Sequence, residues 1–296
     1  MDWCGYLAKR KGSVMAAKWN LIVDVERCDN CRNCFLATKD EHIGNDFPGY
    51  AAPQPTHGAS WVDIERKERG TWPVVEANFM PTMCNHCDDA PCMKVAKDNA
   101  IKKRDDGIVI IDPVKAKGQR AIVDACPYGA VYWNEELQIP QAWIFDAHLL
   151  DQGWRQPRME QSCPTNVFRA LKVDDSDMQR IQAEEGLDVL QPELGTKPRV
   201  YYKNLHLMTT CFAAGAVVVA VAGVEECAEG AEVSVQQDGR EVASATTDLF
   251  GEFKVDKLAP NSGRYRLVVK HGAGQSASID FDVAGESVYL GAIIVK

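Results

Sequence analysis

The chain has 296 residues, enough for two domains, with 46% hydrophobic and 25% charged residues, an ordinary globular balance. Lys+Arg 33 against Asp+Glu 42 gives a formal charge of −9, which argues against nucleic acid or an anionic membrane face as the main partner. The longest apolar run, residues 212–224, is too short to span a bilayer and reads as a buried strand; no apolar signal segment is visible, so a cytoplasmic protein is expected.

Residues 1–18 read as an extension, expected to be disordered. Residues 19–190 read as an irregular domain. It holds a strand at 19–25, a short helix after Cys34, strands at 60–64 and 107–111, a helix at 113–123 and a strand at 130–133. A polar helix over 174–185 is stopped by Gly186. The Pro-, Gly- and charge-rich stretch 191–204 is expected to be a linker. Over 205–296 the apolar period becomes two, with turn pairs such as Asp238-Gly239 and Ser262-Gly263 between segments. That pattern predicts a small antiparallel β-sandwich of seven strands. This part contains no cluster of His, Asp, Glu and Cys, so a structural or docking role is expected.

Eleven cysteines are unevenly spread. Cys28, Cys31 and Cys34 form one knot, Cys84, Cys87 and Cys92 another, and Cys126 and Cys163 follow singly. In a chain with no visible export signal such knots point to metal or redox sites before disulfides. Zinc sites use paired C-x2-C units, whereas C-x2-C-x2-C opens the bacterial ferredoxin run, which ends in C-P. Cys126-Pro127 and Cys163-Pro164 both have that closing form. In ferredoxins each cube takes three cysteines from one knot and the last from the other. Crossed in this way, the eight cysteines form two [4Fe–4S] quartets: Cys28, Cys31, Cys34 and Cys163, and Cys84, Cys87, Cys92 and Cys126.

These knots, with KDEH (39–42), DIERKERGTWP (63–73), CNHCDDAPC (84–92), CPYGAVYWNEE (126–136), AHLLD (147–151) and PELGTKPRVYYKNL (192–205), carry a resemblance. The chain resembles the iron–sulfur small (beta) subunits of the dimethyl-sulfoxide-reductase molybdoenzyme family, and within it the pyrogallol–phloroglucinol transhydroxylase-like branch. The resemblance implies an α+β fold, a tandem bacterial-ferredoxin-like domain followed by an all-β sandwich. The segment TDLFGEF (247–253) resembles the signature of transthyretin-like, carboxypeptidase-regulatory-like sandwiches, in which Gly251 would take a positive φ and Phe253 would point inward. A third quartet of that branch would map to Thr38, Trp143, Asp146 and Met159. Of these Asp146 alone could ligate iron, so two clusters are expected where the branch has three. In four-cluster relatives the two retained types are the ends of a line of cubes.

No molybdopterin motif, nucleotide loop or nucleophile triad is visible, so the chain reads as a non-catalytic subunit. The resemblance implies a heterodimer with a large catalytic subunit holding molybdenum and two pterin guanine dinucleotides, acting on polyphenols by hydroxyl transfer. The alternative is an electron-transfer subunit of a redox aromatic hydroxylase or catechol dehydroxylase. His86 could hydrogen-bond a sulfur or neighbouring backbone, while Asp40, Glu41 and His42 read as a polar loop facing a partner. Cys211 and Cys227 read as small buried hydrophobes.

Overall fold

A computed structural model describes residues 16–221, 223–272 and 274–296, so residues 1–15 of the expected disordered extension lie outside the described residues. The chain divides into two units. The first runs to Ile64 and resumes over Pro81–Lys203; the second comprises Glu65–Met80 and Asn204–Lys296.

In the first unit β1 (Lys18–Asp24) is buried over its last five residues and is the middle strand of a three-stranded sheet. Lys18, expected in the extension, is thus its first residue. Helix α1 (Asn33–His42) follows the first cysteine knot. The chain then enters a hairpin, β2 (Val62–Thr71) and β3 (Val74–Met83), whose body belongs to the second unit. Back in the first unit come α2 (Pro91–Val95) and the two-stranded pair β4 (Ile101–Lys103) and β5 (Val109–Ile111). After them stand α3 (Ala121–Asp124) and a second pair, β6 (Tyr132–Asn134) and β7 (Ile139–Gln141).

The helix expected over 113–123 is reduced to α3. Asp112 accepts the backbone N–H groups of Val114 and Lys115, and Gly118 takes φ +77°, so the first half is spent in turns. Helices α4 (Ala147–Asp151) and α5 (Arg158–Ser162) lead to β8 (Phe168–Val173), antiparallel to β1. Helix α6 (Asp175–Glu185) has the predicted ends: Asp174 accepts the Asp177 N–H, and Gly186 closes it at φ +61°.

The stretch 191–204 is not a free linker. It contains β9 (Val200–Lys203), which pairs parallel with β1. Ahead of that strand the chain bonds back onto the second cysteine knot: Asp88 N–H to Lys197 O (2.9 Å), Asp89 N–H to Thr196 O (3.0 Å) and Arg199 N–H to Asn85 O (2.8 Å). Arg199 is buried and forks to Asp88, Asp175 and Asn20.

The second unit starts with α7 (His206–Thr209) and β10 (Cys211–Val221), the expected buried strand. Then follow β11 (Val224–Cys227), β12 (Glu232–Gln237), β13 (Arg240–Thr246) and β14 (Glu252–Leu258). The last three are β15 (Gly263–His271), β16 (Gln275–Val283) and β17 (Val288–Val295). One sheet joins β11, β14 and β17 to β10; the other runs β13-β12-β15-β16. Among the described residues this is one strand more than the alternation predicts, because the chain returns on β10 as the exposed β11, and the sandwich is not wholly antiparallel, since β17 runs parallel to β10.

Inward residues of both sheets, including Val217, Val233, Phe253, Val255, Leu267 and Ile293, form one core. TDLFGEF explains itself locally. Thr247 Oγ1 accepts the Ala231 N–H and donates to Ala228 O, and Asp248 accepts the Phe250 and Glu252 N–H groups. Gly251 sits at φ +74°, where a Cβ would meet Val217 O at 2.4 Å, so no other residue fits. The hairpin joins this unit through Arg69, buried, which forks to Asp256 (2.9 and 3.0 Å) and bonds Glu76 (2.7 Å).

Candidate metal centres

The first knot follows a single 3-10 turn, Val25–Arg27, and coils through Asn30 and Arg32, both at positive φ, before α1 carries Cys34. Two non-glycine residues in the left-handed region wind the loop tightly. Cys163 comes from the end of α5, which packs on α1. Val167 N–H points at its Sγ (3.3 Å). Burial pushes the Cys34 thiol up to about 12, and the negative potentials of Cys28, Cys163 and Cys31 push the same way. Cys28 is raised by burial and by Cys163 and Cys31, against a backbone N–H from Asn30 that lowers it. The four thiols therefore share one electrostatic neighbourhood. It is open on one side, where Cys31 is exposed.

The second group is more enclosed. Cys84 is raised well above the ordinary thiol value by burial, then by Cys92, with Cys126 and Cys87 adding to it. Burial takes Cys92 to about 12 and Cys87 to about 11, with Cys126 raising both. Cys84, Cys92 and Cys126 pack on a small apolar core of Ala100, Ile101, Val109, Ile111, Ala116, Ile122, Val131 and Ala142. Burying four thiols together disfavours every charge on them unless a cation compensates; a cationic iron core bound by the thiolates supplies that compensation. Among the described residues no three His, Cys, Asp or Glu side chains converge tightly enough for one metal ion.

Three supports of the second group escaped the sequence reading. Lys103 donates to His86 O (2.8 Å) and Cys87 O (3.0 Å) and pairs with Asp88 (2.8 Å). The Thr196 hydroxyl bonds Cys87 and Tyr128. Arg199 fixes the returning strand. Thr196 and Arg199 lie in PELGTKPRVYYKNL, but nothing local in that stretch says that it folds back on residues 85–89. His86 is buried at φ +45°, with Nδ1 accepting the Val109 N–H (3.1 Å); burial, with Lys103 and Arg199, lowers its pKa to about 3, so the ring is neutral.

Thr38, Trp143, Asp146 and Met159 are all fully buried. Thr38 Oγ1 donates to Cys34 O (2.9 Å), Trp143 stacks on Phe145 (4.7 Å), and Asp146 Oδ2 accepts the Arg158 N–H (2.7 Å). Asp40, Glu41 and His42 correct the polar-loop expectation. They are the last turn of α1, and His42 is fully buried against Trp61 (4.4 Å). Cys211 and Cys227 are unpaired; Cys211 is buried, as expected, whereas Cys227 is exposed on β11, which leaves one face to solvent. Among the described residues no helix is long and apolar enough to cross a membrane.

A 4Fe-4S dicluster domain matches residues 75–173, which hold the second knot, Cys126 and Cys163, and defines the chain as an iron–sulfur protein. The chain is 44% identical to the pyrogallol hydroxytransferase small subunit of Pelobacter acidigallici, over 93% of this chain and 98% of that one. It is also similar to a chain of the probable anaerobic dimethyl sulfoxide reductase of Escherichia coli (35%, over 54% of this chain and 77% of that one). An iron–sulfur subunit of the Hdr-like menaquinol oxidoreductase of Archaeoglobus fulgidus is 29% identical, over 64% of this chain and 84% of that one. The chain belongs to the family of iron–sulfur subunits of dimethyl-sulfoxide-reductase-type molybdoenzymes, which includes the pyrogallol hydroxytransferase small subunit.

Proposed function

We propose that this chain is the non-catalytic iron–sulfur subunit of a cytoplasmic heterodimer that transfers hydroxyl groups between polyphenols of the pyrogallol type. The similarity to the Pelobacter subunit along 98% of its length carries the reading. The partner would be a large subunit that holds molybdenum and two pterin guanine dinucleotides. In this chain Cys28, Cys31, Cys34 and Cys163 would hold one [4Fe–4S] cluster, and Cys84, Cys87, Cys92 and Cys126 a second. Bound clusters supply one-electron storage. The chain's own residues bury the sulfurs, aim backbone N–H groups at them and leave Cys31 open. The second unit is read as a transthyretin-like docking module, supported by the fit of Gly251 and Phe253.

The second reading, an electron-transfer subunit of a net redox enzyme, is favoured by the relatives named as parts of a reductase and of an oxidoreductase. One experiment separates them. The chain is purified with its native partner and turnover on a polyphenol is measured alone, with an artificial electron acceptor and with an artificial electron donor. Turnover with neither supports hydroxyl transfer, whereas a strict requirement for one of them supports the redox reading. Metal analysis on the same sample should give about eight irons and eight sulfides per chain, four of each per cube. Twelve irons would overturn the two-cluster reading, and stoichiometric zinc without sulfide would overturn both.

A further inference from the structure

Beside the Cys28/Cys31/Cys34/Cys163 group lies a chain of buried ionisable side chains that neither reading uses. Asp146 is fully buried, and its Oδ1 lies 3.5 Å from His42 Nε2, also fully buried. Neither Oδ1 nor either nitrogen of His42 has a hydrogen-bond partner among the described residues. The backbone that presents the carboxylate is strained, with Phe145 at φ +56° and Asp146 at φ +48°. Side chains on such backbone at a buried, under-satisfied polar group point to function before packing. A fully buried carboxylate oxygen with no donor costs free energy, which a proton added between it and the facing imidazole would relieve.

The pair has a route to solvent. The rings of His42 and His148 lie 5.4 Å apart, and each has an unpartnered Nδ1. One water can bridge such a gap. His148 Nε2 then meets Glu41 Oε1 at 2.9 Å. Glu41 is 15% exposed and lies 3.6 Å from Arg158, itself 3.4 Å from the largely exposed Asp40. The other charged groups on the packed elements are engaged elsewhere: Lys39 with Pro55 O and Ala59 O, Asp151 with Arg104 and Tyr50, and Glu160 with the Ala170 N–H.

The pair is also tied to the thiol group mechanically. His42 ends the helix that carries Cys34, and Asp146 accepts the first N–H of the helix that ends at Cys163.

We propose that Asp146 and His42 form a proton-loading pair whose proton affinity rises when the Cys28/Cys31/Cys34/Cys163 centre gains an electron, with the proton entering through Glu41 and His148. The inference rests on the cluster reading above. For each electron delivered by a reductant, up to one proton comes from solvent, so the buried charge stays nearly balanced. Eight residues of α1 separate Cys34 from His42, roughly 12 Å. Two unit charges that far apart, at an effective dielectric near 20, change each other's equilibrium roughly tenfold.

The test uses the full-length chain in its native complex. Iron and sulfide analysis with the paramagnetic signals of the reduced centres first reports whether the centre is present; its absence would sink the cluster reading itself. With the centre present, its reduction is titrated across pH, and redox-difference infrared spectra are recorded in H2O and D2O. The expected result is a reduction equilibrium up to roughly tenfold more favourable on the acid limb, with carboxyl and imidazole bands that shift in D2O. Asp146→Asn and His42→Gln should abolish both effects while leaving the other centre unchanged. Glu41→Gln should keep the band amplitude and slow its appearance. A pH-independent titration with no such bands in the unmutated protein would overturn the proposal, and that measurement needs no variant to fold.

Discussion

The two units solve the same problem, how to hold a chain in place, by opposite means. Among the described residues the second has a continuous core of eighteen buried residues shared by two sheets. The first also buries apolar side chains, Leu21, Trp61, Trp143, Phe145 and Tyr202 among them, but hangs them on short strands and helices joined by long loops. Its knots also hold Asn30, Arg32 and His86 at positive φ, each of which costs conformational energy. A region of short elements and strained loops gains from another source of cohesion, and two thiol quartets can provide it if metal binds them. The second unit needs none. Among the described residues its one buried cation, Arg69, is already matched by Asp256 and Glu76.

The largest expected consequence is selective collapse. Stripping iron with a chelator under reducing conditions should destabilise the first unit by at least about 5 kcal/mol, since metal-binding free energy is folding free energy at such sites. Hydrogen exchange should then show the amides of β1, β4 and β5 losing protection while β12 and β15 retain it. Equal loss in both units would break the contrast.

Next in size is the loss of the returning strand. A chain ending at residue 196 lacks β9 and the bonds from Lys197 and Arg199 to the second knot. Its iron content should fall from about eight to about four per chain, one cube of four irons, with the Cys84 group emptied. Full iron retention would show that 191–204 behaves as the linker its composition suggests. That composition misleads for a physical reason. Pro, Gly and charge are typical of linkers, but here the charge is Arg199, buried on Asp88 and Asp175, and the backbone closes on residues 85–89.

Long-range pairing of this kind marks the limit of what the sequence discloses. Strand β1, helix α6 with its Asp174 and Gly186 ends, and the Gly251 turn are written in neighbouring residues, and each is legible. Of the thiols that the spacing picks out, Cys28, Cys31 and Cys163 disfavour the charge of Cys34, and Cys87, Cys92 and Cys126 that of Cys84. The hairpin Glu65–Met80 belongs to the second unit because Arg69 meets a carboxylate almost two hundred positions later, and no local pattern encodes that. The burial of His42 was hidden for the same reason, since KDEH reads as polar until Trp61 and Asp146 are placed against it.

Arg69 offers a sharper test within the second unit. Arg69→Met keeps most of the buried stem against Phe212 but strands Asp256 and Glu76 beside Lys254. Removing one partner of a buried pair costs roughly 3 kcal/mol. Chemical denaturation of the variant should show that loss in the transition assigned to the second unit, with iron content unchanged. A variant as stable as the parent would mean that the apolar core alone holds the hairpin.

The smallest effect is an acid limb confined to the second unit. Burial works to raise the Asp256 carboxyl, but hydrogen bonds from the Arg69 guanidinium and the Lys257 N–H, with the charges of Arg69 and Lys254, hold it down at about 2 against an ordinary 3.8. A carboxylate lowered in the fold binds its proton more weakly there than in the unfolded chain. Its contribution is therefore complete above about pH 4 and is lost as the pH falls through 2. The carboxylate is 19% exposed, so the amount is on the order of 1–2 kcal/mol after screening. Measured on the iron-free protein, where the first unit has already given way, the remaining transition should weaken between pH 4 and pH 2. In Asp256→Asn that slope should flatten. A slope unchanged by the substitution would assign the acid sensitivity to other carboxylates and leave Arg69 held chiefly by Glu76.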